Sequence, residues 1–119
     1  MRQLDFFTPI APTHTPNHAR GATLEEQFAA FHSANPHVYQ ALRRLAVQMV
    51  RRGHRRIGIK MLFEVLRWQY AMSTVDPASE FTLNNNYTSF YARLLMDNEP
   101  ELANAFEIRT QRWQLAEVN

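Results

Sequence analysis

Val38, Leu42, Leu45 and Met49 stand at i, i+4, i+7 and i+11 between an Asn35-Pro36 pair and a glycine at position 53. This spacing constrains the fold more than any other feature, because it stacks apolar side chains on one face of a helix. Asn35 is a residue type that accepts hydrogen bonds from free first-turn amides, and so reads as the N-cap. Pro36 fits the first helical position, where an amide hydrogen has no partner anyway. Gly53 tolerates the left-handed backbone that ends helices, and the preceding Arg51 and Arg52 suit the negative end of the helix dipole.

Three further helices follow from the same reasoning. Thr23 and Glu26 form a capping box ahead of Leu24, Phe28 and Phe31. Leu62, Phe63, Leu66 and Tyr70, widened by Val65 and Trp68, predict a helix over residues 60–72, apolar on nearly two sides and therefore expected to be the most buried. Phe90, Tyr91, Leu94 and Leu95 predict another over residues 88–96. Glu99-Pro100-Glu101 reads as the acidic first turn of a short fifth helix over residues 98–106. Residues 57–59 and 81–83 alternate like short strands. Paired, they would give a winged-helix-like variant; unpaired, they leave a plain bundle. The expectation is a compact, mainly α single domain of four to five helices over residues 23–109. A flexible arm over residues 1–22, with Pro9, Pro12 and Pro16, precedes it, and a weakly patterned tail over residues 110–119 follows.

Several function classes lose support at once. No apolar run approaches the roughly 20 residues of a membrane span, and the N-terminus lacks a signal-peptide layout. A cytoplasmic location is expected. Cysteine is absent, which removes disulfides, zinc-thiolate sites and thiol catalysis. The five histidines, His14, His18, His32, His37 and His54, form no local metal-binding pair, so neither a metal nor another cofactor is expected. Glu64 is the one acid in the central region. Without a second carboxylate at a diagnostic spacing it supports a hydrolase or nuclease reading only weakly, and no enzyme is expected.

Charge is distributed unevenly. Residues 43–67 hold eight basic side chains against Glu64 alone, a balance of +7, whereas the remainder of the chain sums to −5. Twelve of the thirteen cations are arginine, whose planar fork matches phosphates and guanine edges. Arg51, Arg52, His54, Arg55, Arg56 and Lys60 are the candidate phosphate contacts. Asn84, Asn85, Tyr87 and Arg93 lead the 88–96 helix and are the candidate base-edge contacts, with Thr88 or Ser89 available to phosphate and Asn86 as the cap. The same residues also fit a solvated helix face and ordinary capping. The leading expectation is nucleic-acid binding, to duplex DNA. The alternative is a protein–protein module without nucleic acid, for example a homo-oligomer that joins the basic tract to the acidic 97–107 region of a neighbour, or a contact with another, acidic protein.

NPHVYQALRRLAVQMVRRGHRRIGIKMLFEVLRWQYAMST and LNNNYTSFYARLLMDNEPELANAFEIR resemble, in overall pattern, a family of small proteins of tailed bacteriophages and prophages. The resemblance spans about residues 24–109. It implies a bacterial, phage-related setting, in which a protein partner would be a host or phage protein, and brings no assigned activity or functional residue.

Overall fold

Thr23 accepts from the Glu26 amide at 3.1 Å, and the Glu26 carboxylate returns to the Thr23 amide at 2.9 Å, starting the first helix as its capping box dictates. The structure, a computed structural model, describes residues 8–76 and 78–107. Its helices are α1 (Leu24–Ala34), α2 (Pro36–Arg51), α3 (Ile59–Ser73) and α4 (Thr88–Asn98), with 3-10 turns at Asn85–Tyr87 and Pro100–Leu102. They share one core, a mainly α single domain. Among the described residues no helix is long and apolar enough to cross a membrane.

The centre of the bundle is α2, not α3. Val38, Ala41, Leu42, Leu45, Ala46 and Val47 of α2 are all buried, and α2 packs on α1, α3, α4 and the Pro100–Leu102 turn. α3 buries Leu62, Phe63, Leu66 and Gln69 but leaves Met61 and Met72 exposed, so its second apolar side faces outward. Phe28 of α1 meets Tyr91 of α4 edge-on at 4.8 Å and stacks on Phe90 at 5.2 Å. Such arrangements satisfy the ring quadrupoles while burying large apolar area. Tyr91 is fully buried.

Three local expectations are corrected. Residues 57–59 and 81–83 do not pair, and no strand forms among the described residues. Ile59 is absorbed into the first turn of α3, and Ile57 instead makes an isolated parallel bridge with Phe106. The fifth helix over 98–106 shrinks to one 3-10 turn, because the segment must straighten to bring Ala105 and Phe106 against Ile57. Asn35 does not cap α2 with its side chain. Its amide is fully buried and bonds the backbone of His14 and the carbonyl of Phe31.

Of the arm expected over residues 1–22, the part from residue 8 onward is described. Residues 8–19 are irregular, as their prolines require, but docked. Thr13 is buried, its amide donates to Glu80 O at 3.0 Å, and its hydroxyl exchanges hydrogen bonds with the backbone of Thr82. The expected tail over 110–119 lies outside the described residues.

Candidate nucleic-acid interface

The basic tract begins where α2 stops. Gly53 takes φ +100°, its amide donates to Val50 O, and the His54 amide donates to Met49 O, which together form a Schellman closure. Arg52 to Arg56 are then exposed until Ile57 plunges into the core, its amide donating to Ala105 O at 2.8 Å. The link is thus a short bow of chain pinned at both ends, with Arg52, His54, Arg55 and Arg56 on its outside.

α3 opens at Ile59 with no side-chain cap and no acid in its first turn, and Lys60 projects there into solvent. Across from it, the start of α4 is built by its asparagines. Asn84 accepts from the Asn86 amide at 2.8 Å and its carbonyl receives the Tyr87 amide, so Asn84 caps the 3-10 turn that leads into α4, while α4 itself has no side-chain cap and Asn86 caps neither. Asn85 Oδ1 accepts from Arg67 Nη2 at 2.6 Å, which also reaches Leu83 O. Asn86 is left exposed. Arg56, Lys60, Asn85, Asn86, Thr88 and Ser89 line one open groove of about 780 Å³. This groove unites the end of the arginine tract with the asparagine-led turn, segments 25 or more residues apart in sequence.

The other candidates lie elsewhere. Tyr87 is a core residue: only 7 % exposed, its ring lies 5.7 Å from Phe28 and 5.3 Å from Phe31, so the base-contact role assigned to it is corrected. Burial also raises its phenol pKa. Arg93 is exposed on α4 one turn beyond Ser89, but does not line the groove. Arg52 borders a separate hollow of about 210 Å³ between α2 and α3, floored by Leu45, Met49, Met61, Leu62 and Val65. Glu64 is exposed and pairs with Arg67 at 2.5 Å, one turn along α3. Among the described residues no group of three or more His, Asp or Glu side chains is placed to hold a metal.

The acidic segment after α4 reshapes the electrostatics. Glu99 accepts from Arg43 Nε at 2.7 Å and from the Tyr39 hydroxyl at 2.9 Å. Glu101 takes Arg51 in a two-point grip, 2.7 and 3.1 Å. Glu107 approaches Arg56 to 3.6 Å. Hydrogen bonds from Arg43 to Glu99, and from Arg51 to Glu101, hold both carboxyls below the usual glutamate range. Thus Arg51, counted among the phosphate contacts from the sequence, already has a carboxylate in its fork. The opposite charges were visible in the sequence, but their pairing within one chain was not, since it spans 50 residues or more. Arg52, His54, Arg55, Lys60 and Arg93 make no ion pair among the described residues. In comparisons with known proteins, no family model, curated protein or solved structure matches the chain.

Proposed function

We propose that this chain is a small phage or prophage accessory protein, acting in the bacterial cytoplasm, that binds duplex DNA through the groove and the exposed link beside it. The reading rests chiefly on one juxtaposition: Lys60 and Arg56 share a groove with Asn85, Asn86, Thr88 and Ser89. Cations suited to phosphate thus stand beside amides suited to base edges. Arg52, His54, Arg55 and Lys60 are the phosphate grip, and Asn85 and Asn86 are the base-edge readers. Asn85 keeps its Nδ2 donors for that role while Arg67 holds its oxygen.

Fluorescence anisotropy against a short DNA duplex at several salt concentrations tests the proposal. Three phosphate contacts by Arg52, Arg55 and Lys60 give a log–log salt slope of about −3. Arg55→Glu combined with Lys60→Glu abolishes binding, and Asn86→Ala weakens discrimination between sequences more than it weakens affinity. Absence of binding at low salt, or indifference to the charge reversals, would sink the reading.

A second reading, a protein–protein module, draws on a different observation. Met61 and Met72 are 44 % and 64 % exposed on α3, and Met61 flanks the apolar hollow against α2. Flexible thioethers at such a surface suit partner contacts. The charge-driven head-to-tail assembly would have to displace the pairs that Glu99, Glu101 and Glu107 make within their own chain. Light scattering that finds a stable oligomer, together with no DNA affinity, favours this second reading.

A further inference from the structure

The three arginine–glutamate pairs share one architecture. The segment carrying Glu99, Glu101 and Glu107 is fastened from beneath, with Leu102, Ala105 and Phe106 buried in the core. The Ile57 amide ties its end to the link through Ala105 O. None of these anchors involves a charge. Above them Glu101 and Glu107 lie in the open against Arg51 and Arg56, with the Arg51 and Glu101 side chains 68 % and 46 % exposed, while Glu99, 20 % exposed, is held by Arg43 and the Tyr39 hydroxyl. Exposed pairs of this kind contribute little to stability, so the segment stays in place whether or not the pairs are made.

What the pairs do change is availability. A carboxylate gripped at two points occupies the same guanidinium fork that a phosphate takes. Arg43 and Arg51 are eight residues apart on α2, slightly over two turns, and Arg56 follows in the link. The glutamates therefore sit on two arginines of α2 and one of the link, and the same link carries the unpaired Arg52 and Arg55.

We propose that the 99–107 segment is a built-in polyanion mimic that masks Arg43, Arg51 and Arg56 from duplex DNA. The inference rests on the DNA-binding reading above and names the regulation of that same surface. DNA first engages the unpaired cations. The masked arginines join only when the glutamates are displaced or neutralised, and displacement leaves the segment's apolar anchors in place.

The test is anisotropy with a short DNA duplex across a salt series, using full-length chain with Glu99, Glu101 and Glu107 replaced by glutamine. Each released arginine adds about 0.9 to the magnitude of the log–log salt slope. The triple variant accordingly binds at least about tenfold tighter at low salt, with a slope steeper by about 2–3. Should the triple variant fold poorly, Glu101→Gln alone carries the test, with a steepening of about 0.9. In the wild-type background Arg51→Gln lowers affinity less than Arg55→Gln does, yet it cancels the gain from Glu101→Gln. Binding by both wild type and triple variant with one slope overturns the masking and spares the DNA reading. So does an Arg51→Gln loss in the wild type equal to that of Arg55→Gln. No binding by either protein overturns both.

Discussion

Asn35 holds His14 by its backbone: Asn35 Oδ1 accepts from the His14 amide at 2.7 Å, and Asn35 Nδ2 donates to the His14 carbonyl at 2.8 Å. One side-chain amide reproduces the two-bond pairing of a strand neighbour, and Nδ2 also donates to Phe31 O at 2.9 Å. The residue at the corner between α1 and α2 thereby fixes the path of the arm.

Replacing Asn35 with leucine removes all three bonds, and the His14 amide and carbonyl lose their partner while Phe31 O keeps the Asn35 backbone amide, at a cost of about 2–3 kcal/mol. Thermal or urea unfolding measures the loss. Limited proteolysis locates it, since cleavage in residues 8–20 accelerates more than cleavage within α2. Asn35→Asp keeps the acceptor but sets a buried carboxylate oxygen against the His14 and Phe31 carbonyls, and destabilises at least as much.

Gly53 has open space where a Cβ would stand, so its requirement is purely conformational. At φ +100° an L-side chain is strained. Gly53→Ala destabilises by about 1–2 kcal/mol, and Gly53→Asn by less, because asparagine tolerates the left-handed region better. Chemical denaturation of the two variants side by side gives the ordering.

Tyr91 buries a hydroxyl that has no hydrogen-bond partner among the described residues, and burial raises its pKa strongly. Tyr91→Phe removes an unsatisfied polar atom without opening a cavity, and stability is unchanged or rises by up to about 1 kcal/mol. Tyr91→Ala, which empties the centre of the aromatic cluster, costs about 3–5 kcal/mol.

His32 stacks on Phe28 and packs against Tyr39 and Tyr91, and burial lowers its pKa below the ordinary 6.5. The unfolded chain thus binds a proton more readily than the folded one, and stability falls as pH drops below about 6.5. The lowered carboxylates, Glu26, Glu99 and Glu101, have an ordinary value of 4.5 and act further down. Melting temperatures between pH 7.5 and pH 5 follow that loss, and His32→Gln flattens the profile across that window.

The helices were legible in the sequence wherever their signals were local. Thr23 with Glu26, Pro36 and Gly53 act within a turn of themselves, and each starts or stops a helix where its chemistry says. Asn35 and Tyr87 were misread for the opposite reason. An asparagine before a proline looks like a cap until an arm 21 residues away offers it a backbone. A tyrosine beside three asparagines looks like a contact residue until Phe28 and Phe31 arrive from another helix. The groove was half legible. Both of its rims stood out in the sequence, but the Asn84–Asn86 exchange of capping and exposure depended on turn geometry that three identical side chains do not reveal.

Thr13 meets Thr82 across 69 residues, a closure that encloses α1, α2 and α3. Contacts so distant along the chain carry a loop-closure entropy that helix-to-helix packing between neighbours does not. The arm is therefore the last piece to zip onto a folding chain and the first to peel away from a folded one. Hydrogen exchange at the Thr13 and Thr82 amides reports that opening well below the threshold for global unfolding.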